Sequence, residues 1–226
     1  GNMAWLERNL DKRADPSLLV PGARTVICLG MHYDPPQEAE PSTDKGPQGR
    51  MARYARGDDY HDLIKSRLAQ LWEGMQSEAG VDIGGRYYVD TAPVLERELA
   101  ARAGIGWWGK NTMLINRSVG SYFLLAEVIT TAELEYDSPA TDHCGSCTRC
   151  LDACPTQAFP EPYVLDARRC ISYLNIELKT AIPQDLRDGM GDWLLGCDIC
   201  QDVCPWNRRA PVTQEQAFHA RPGLDP

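Results

Sequence analysis

The chain has 226 residues and carries 23 basic against 32 acidic side chains, a formal charge of −9. That length supports a buried core, as one large domain or two smaller ones. The acidic balance argues against broad, nonspecific nucleic-acid binding but leaves room for a local basic patch. No apolar run approaches the ~18 residues of a membrane span; the best candidate, 122–129, is interrupted by Glu127. No charged-then-apolar leader precedes Ala4. The expectation is a cytoplasmic protein without membrane contact.

In chain order, Trp5, Leu6 and Leu10 begin a helical pattern, and Pro21-Gly22 marks a turn before the apolar run Thr25 to Met31, which reads as a buried strand. Residues 35–49 hold four prolines and two glycines with hardly an apolar anchor, the composition of a mobile loop. Asp58 or Asp59 then suits the cap of a helix whose Leu63, Ile64, Leu68, Leu71, Trp72, Met75 and Ala79 recur at three- and four-residue steps, with Gly80 as its stop. A short strand is expected over Arg86 to Asp90, then a helix with Pro93 in its first turn and Gly104 at its end. Further strands are expected over Thr112 to Ile115 and Tyr122 to Thr130. Strands interleaved with helices imply a mixed α/β or α+β domain over residues 1–140. No Gly-x-Gly-x-x-Gly follows a strand, and Gly104-Ile-Gly106-Trp-Trp-Gly109-Lys110 lacks phosphate-loop spacing, so a nucleotide site of either type is not expected.

Beyond His143 the texture changes to short segments punctuated by cysteine and proline. Eight of the nine cysteines fall between Cys144 and Cys204. Cys144, Cys147, Cys150 and Cys154-Pro155 form C-x2-C-x2-C-x3-C-P, the run that binds [4Fe–4S] clusters in bacterial ferredoxins, and Cys197, Cys200 and Cys204-Pro205 repeat it without the first member. In that pattern the fourth cysteine ligates the other cluster. The rule assigns Cys144, Cys147, Cys150 and Cys204 to one cluster, and Cys154, Cys197 and Cys200 to a second, whose missing ligand is then Cys170. A pair of zinc sites and a disulfide framework are the competing readings; two C-x3-C-P endings with reciprocal pairing disfavour the first, and the absence of an export signal the second. A ferredoxin-like two-cluster domain is therefore expected over 141–209. Cys28, inside the apolar run, reads as a small core hydrophobe.

Asp11-Lys-Arg-Ala-Asp-Pro16, Arg53-Tyr-Ala-Arg-Gly-Asp-Asp-Tyr-His61, Val89-Asp-Thr-Ala-Pro-Val-Leu-Glu-Arg97 and Gly106-Trp-Trp-Gly-Lys-Asn111, together with the cysteine arrangement, resemble the epoxyqueuosine reductase family over nearly the whole chain. The resemblance implies a nitroreductase-like corrinoid-binding domain ahead of the two-cluster domain, and a cobalamin-dependent enzyme that reduces epoxyqueuosine to queuosine in the anticodon loop of transfer RNA. It implies Asp90 as proton donor, a role that would suit a carboxyl whose pKa burial has raised. The bare residues also allow Asp90 merely to cap the next helix. Around a corrinoid the family pattern places Arg13, Arg53, Tyr54, Asp90, Lys110, Asn111 and Ser172, with backbone from Cys197 and Asp198. The corrinoid is expected base-off, without a histidine lower ligand: Asp59-Tyr-His61-Asp-Leu-Ile64 nearly matches the ligating fingerprint, but Ile64 replaces its glycine. Further expectations are an external low-potential electron donor, a monomer, and RNA contacts at Arg50-Arg53-Arg56, Lys65-Arg67, Arg168-Arg169 and Arg208-Arg209. The family pattern also implies about 40 residues before Gly1 and a helical-repeat domain, toward which 210–226 would be a linker. The alternatives are a corrinoid-dependent reductive dehalogenase and a ferredoxin-like electron carrier without corrinoid.

Overall fold

The computed structural model describes residues 3–36 and 49–224; most of the expected loop 35–49 lies outside the described residues. In chain order the elements are α1 (Leu10–Ala14), β1 (Thr25–His32), β2 (Arg50–Met51), α2 (Tyr60–Glu78), β3 (Gly85–Tyr88), α3 (Glu96–Arg102), β4 (Trp107–Trp108), β5 (Leu114–Ile115), β6 (Phe123–Thr130), α4 (Arg149–Asp152), α5 (Ile171–Ile176), α6 (Gln184–Met190), β7 (Trp193–Leu195) and α7 (Ile199–Asp202). This is the α+β class followed by a cysteine-rich unit. Among the described residues no helix is long and apolar enough to cross a membrane.

The centre of the first domain is an antiparallel sheet of order β1-β6-β3. Successive strand side chains point to opposite faces, and β6 shows it cleanly. Leu124, Ala126 and Val128 join Ile64 and Leu68 of α2 in one core, while Ile129 packs on the other face with Val20, Val94 and Leu99. Val128 and Ile129 are fully buried, and each such side chain stabilises the fold by about 1.5–3 kcal/mol. The one ionisable residue of this strand is Glu127, also fully buried. Helix α2 starts where expected because the Asp59 carboxylate accepts the His61 N–H (2.9 Å), and it stops before Gly80, whose φ of +64° suits a residue without a Cβ.

Two expected boundaries move. The strand expected from Thr112 contains only Leu114–Ile115, because Thr112 adopts a left-handed φ of +61° that no strand allows. The helix expected to begin near Pro93 begins at Glu96 instead. Tight turns (Thr91 N–H to Val89 carbonyl, Val94 N–H to Ala92 carbonyl) take up the intervening residues.

The division at 140 and 209 is crossed twice. Strand β2 pairs with β7 in parallel, and Ala52 packs with Ile171, Leu174, Leu186, Met190 and Trp193, so residues 50–54 complete the core of the cysteine-rich half. The segment expected to be a linker instead folds back on the first domain as far as Arg221. The Thr213 N–H donates to the Asp34 carbonyl (2.7 Å), Asp58 N–H to the Ala217 carbonyl (2.6 Å) and Arg221 N–H to the Arg56 carbonyl (2.9 Å), while Phe218 is buried against Tyr33. A Cβ on Gly57 would collide with the Ala217 carbonyl. A buried aromatic, satisfied backbone groups and side-chain bonds such as Thr213 Oγ1 to the His32 carbonyl and Arg221 Nε to the Gly57 carbonyl hold this docking; composition alone reads the segment as proline-rich and polar.

Between the halves sits Arg53. Its guanidinium donates to Asp34 (2.5 Å) and Asp202 (2.6 Å), lies 4.4 Å from the Tyr122 ring centroid, and its backbone N–H donates to Asp198 (2.8 Å). The Tyr122 hydroxyl donates to the same Asp202 oxygen (2.6 Å). Beside it Ser121, Gln201 and Asn207 form a second interdomain hydrogen-bond set. The Arg53 side chain is 14% exposed, so removing it strands two carboxylates. Arg53→Ala is expected to lower unfolding stability by about 3 kcal/mol, and Tyr122→Phe by only about 1 kcal/mol, because Asp202 keeps its cationic partner. Urea unfolding of the two variants beside wild type measures both.

Candidate functional site

The cysteine half is built from two copies of one local device. Each C-x3-C-P block forms a one-turn helix, α4 and α7, closed by a backbone bond to its last cysteine: Cys154 N–H to Leu151 carbonyl (3.3 Å) and Cys204 N–H to Gln201 carbonyl (3.0 Å). The two helices pack together. Cys144, Cys147, Cys150 and Cys204 line one cavity of about 260 Å³. Burial, then Cys204 and Cys144, push the Cys150 thiol up to about 11. On the other side burial raises Cys170, Cys197 and Cys200. The mutual repulsion adding to it links Cys170 to Cys154, Cys197 to Cys170 and Cys154, and Cys200 to Cys197 and Cys170. Cys200 also feels Cys150, across the gap between the two groups.

Backbone amides are aimed at several of these sulfurs. Cys170 begins α5 and receives the Ser172 and Tyr173 N–H groups; Cys204 begins the turn 205–209 and receives those of Trp206 and Asn207. The Ala158 N–H donates to Cys154 Sγ at 3.3 Å. Such bonds favour thiolate and tune an iron–sulfur centre. Among the described residues no three His, Cys, Asp or Glu side chains converge closely enough to hold a single metal ion. Eight thiols, four of them around one cavity, are the donor set that two iron–sulfur cubanes take.

Asp90 lies two residues beyond β3 with φ +55°, a left-handed conformation uncommon for a side-chain-bearing residue and typical of strained functional positions. Its backbone N–H donates to Glu96 Oε1 (2.7 Å), the reverse of the capping role that the sequence alone allowed. Oδ2 accepts from the Tyr60 hydroxyl (3.1 Å) and faces His61 Nε2 (3.2 Å), while His61 Nδ1 faces Asp59 (2.8 Å) and the two rings stack at 4.0 Å. Burial and then Asp90 push the Tyr60 phenol well up, keeping it a donor. The Asp90 side chain is 57% exposed, contrary to the buried carboxyl expected, and it opens on a cavity of about 530 Å³ lined also by Arg13, Arg97 and Trp108.

The other expected site residues divide into two groups. Arg13 borders the Asp90 cavity with its Nε buried and without a partner, its guanidinium 5.8 Å from the Trp5 ring. Tyr54 packs edge-on to Tyr60 at 6.2 Å, and burial, then the charges of Asp198 and Asp90, raise its pKa. Four others are committed to protein contacts. The Arg53 guanidinium is held by Asp34 and Asp202, and buried Asp198 accepts the Arg53 N–H. Lys110 Nζ donates to the Gly145 (2.7 Å) and Cys147 (3.0 Å) carbonyls, and buried Asn111 donates to the Cys200 carbonyl (3.2 Å). Lys110 and Asn111 therefore brace the cysteine loops, one block each. Ser172 contributes its backbone N–H to Cys170.

Sequence patterning missed Tyr60 and His61 as partners of Asp90, and Glu96 and Glu127 altogether; the sole signal was a glutamate at an apolar strand position. The basic spots also fare differently from expectation. Arg50 pairs with Asp192, Arg67 with Glu215 and Arg168 with Asp166, while Arg53 is interior. Cys28 is only partly buried and lines a surface cavity.

Partial burial opposes the charge on His61, but the bonds to Asp59 and Asp90 outweigh it and raise its pKa above the ordinary 6.5. A raised histidine contributes stability that is fully present below about pH 6.5 and lost as pH rises through the folded value. NMR titration of the His61 ring is expected to show a midpoint above 6.5, lowered in Asp59→Asn and again in Asp90→Asn; an unchanged midpoint in Asp90→Asn would disprove the contact.

Comparison with known proteins agrees with this geometry. Residues 13–91 match the family described as "Epoxyqueuosine reductase QueG, DUF1730", and residues 143–207 match "4Fe-4S double cluster binding domain". An epoxyqueuosine reductase of Cellulophaga algicola is 48% identical over 99% of this chain and 71% of its own length, and one of Xanthomonas campestris pv. campestris is 50% identical over 100% and 64%. A crystal structure of epoxyqueuosine reductase with a tRNA-Tyr epoxyqueuosine-modified tRNA stem loop matches with TM-score 0.84 at 39% identity, covering 97% of this chain and 56% of that one. The chain thus spans only part of the length of the relatives it matches. With near-half identity along its full extent and both of its halves matched in order, the chain belongs to the epoxyqueuosine reductase family of oxidoreductases.

Proposed function

We propose that this chain carries the catalytic and electron-transfer portion of an epoxyqueuosine reductase that acts on transfer RNA in the cytoplasm. The observation that carries the reading is the presentation of Asp90: a carboxyl on a left-handed turn, open to a cavity, backed by a phenol donor and a histidine. Opening an epoxide leaves an oxygen that requires a proton. Asp90 supplies it, and His61, itself bonded to Asp59 at the surface, reprotonates Asp90 for the second proton with which that oxygen leaves as water while the substrate takes up two electrons. Arg97 and Trp108, a cation over a ring in the same cavity, suit a nucleotide's phosphate and base.

Cys144, Cys147, Cys150 and Cys204, which line one cavity, would hold one [4Fe–4S] cluster, and Cys154, Cys170, Cys197 and Cys200 the other, the pairing that the C-x3-C-P rule gives. Two such clusters supply single electrons from an external low-potential donor. For a corrinoid the fitting residue is Arg13, which lines the Asp90 cavity and whose guanidinium would suit an amide oxygen of the ring's periphery. Tyr54, Asp90, Ser172 and the backbone at Cys197 and Asp198 complete the set; Arg53, Lys110 and Asn111 are withdrawn from it by their protein partners. When bound, a low-valent corrinoid would supply the electrons that reduce the epoxide. His61 is engaged by two carboxylates, which suits a corrinoid without a histidine ligand.

Anaerobic reconstitution followed by an assay on an epoxyqueuosine-containing stem loop tests the reading. Asp90→Asn is expected to lose about 10²–10⁴-fold in turnover with clusters intact; full turnover would remove Asp90 from the role. Cys170→Ser should lose only the second cluster, about four of eight irons, and a loss confined to the Cys144 group would overturn the pairing.

A further inference from the structure

Glu127 occupies a position that the fold reserves for apolar side chains. It sits in the middle of β6, opposite Cys28 of β1 and Tyr88 of β3, on the sheet face that Ile129 shares with Val94 and Leu99. It is fully buried. Helix α3, which begins at Glu96, packs across β6; neither Glu127 oxygen has a hydrogen-bond partner among the described residues, no arginine, lysine or histidine among them bears on it, and the one charged group that does is the Glu96 carboxyl. An ionised carboxylate left in such a place would cost several kcal/mol. Two adjacent carboxylates in one site do not both ionise, and the more deeply buried one keeps the proton. A protonated carboxyl is a hydrogen-bond donor, and the acceptor in front of Glu127 is Glu96. Glu96 in turn uses Oε1 to accept the backbone N–H of Asp90.

We propose that Glu96 and Glu127 share one proton as a buried carboxyl–carboxylate pair, and that this pair positions Asp90 by fixing the acceptor of its backbone N–H. The left-handed turn at Asp90 is unfavourable on its own and persists only if its surroundings over-determine it. The Glu96 bond is what holds the turn from below, while Tyr60 and His61 hold the carboxyl from above. Glu127 touches neither substrate nor Asp90; it acts through Glu96. The other ionisable groups bearing on the pair are Asp90 and Arg97 beside Glu96, Cys28 on β1, and Tyr60 on α2. The Cys28 thiol is pushed up to about 12, by burial first and then by Glu127 and Glu96, so it stays neutral and adds no charge. Burial and the Glu96 charge push Glu127 up to about 9, in keeping with a proton retained through neutral pH.

The inference deepens the reading of Asp90 as proton donor and rests on it only for the turnover measurement. The test uses Glu127→Leu, Glu127→Gln and Glu96→Ala with two readouts that do not need turnover. The first is the His61 titration. In Glu127→Leu and Glu96→Ala the Asp90 turn loses its anchor, so the His61 midpoint should fall toward that of Asp90→Asn, whereas Glu127→Gln, whose amide still donates to Glu96, should keep the wild-type midpoint. The second is stability against pH. A carboxyl raised from 4.5 to about 9 contributes stability that is complete below about 4.5 and lost as pH rises toward about 9; Glu127→Leu and Glu127→Gln should remove that slope. Leucine at this apolar site should fold as well as wild type or better, which separates positioning from mere structural support; Glu96→Ala, on the partly exposed first turn of α3, covers the case in which leucine does not fold. On the proposed substrate, turnover should fall about ten- to a hundredfold in Glu127→Leu and Glu96→Ala with KM unchanged, and Glu127→Gln should restore it. A His61 midpoint at the wild-type value in both Glu127→Leu and Glu96→Ala would overturn the proposal, as would an unchanged pH slope in Glu127→Leu. Absence of turnover in wild type would sink the functional reading while leaving the His61 and pH measurements to decide this one.

Discussion

The arrangement of this protein depends on one buried cation. Arg53 comes from a segment between the first strand and the long helix, yet its guanidinium and backbone bind Asp34 from one half of the chain and Asp198 and Asp202 from the other. Two carboxylates and a tyrosine ring around one guanidinium leave little freedom of angle, because a planar fork accepts bidentate partners in few orientations. Everything nearby takes its place from that junction. Residues 50–54 are drawn into the core beneath α5, α6 and β7, Tyr122 hands its hydroxyl to Asp202, and Tyr54 packs edge-on to Tyr60. This ion cluster is one of the places where the two halves are joined.

The two halves solve different problems. In the cysteine half the chemistry is local: a one-turn helix, a proline and amides directed at sulfur are properties of ten-residue blocks, and burial of free thiols is an expense that iron binding offsets. In the sheet half the chemistry is long-range. Asp90, Tyr60, His61, Glu96 and Glu127 come from a turn, two helices and a central strand. A strained backbone at Asp90 and a glutamate among apolar neighbours are both departures from local preference, and they occur within one hydrogen-bond chain. Departures of that kind persist at sites of function.

The same contrast explains which expected residues changed role. Arg53, Lys110 and Asn111 were expected to reach a bound cofactor because the family motifs contain them; folded, each satisfies a backbone or carboxylate group between the halves. Of the expected RNA-binding arginines, Arg50, Arg67 and Arg168 similarly find acidic partners at the surface, as an acidic protein provides in abundance. A motif records that a residue type is needed at a position, and says nothing of whether its partner is a ligand or another part of the chain.

What the sequence by itself determined is the two-cluster cysteine pattern, the helix from Asp59 to Gly80 and the strands of the central sheet. Each of these follows from spacing along the chain: ligand reach, the 3.6-residue and two-residue periods, and the caps. What only the tertiary structure decided is the setting of Asp90, the pairing of Glu96 with Glu127, the return of residues 211–221 to the first domain and the interdomain place of Arg53. Those depend on contacts between residues far apart in sequence, whose free energies come from burial and from charge partners. No periodicity along the chain carries that information.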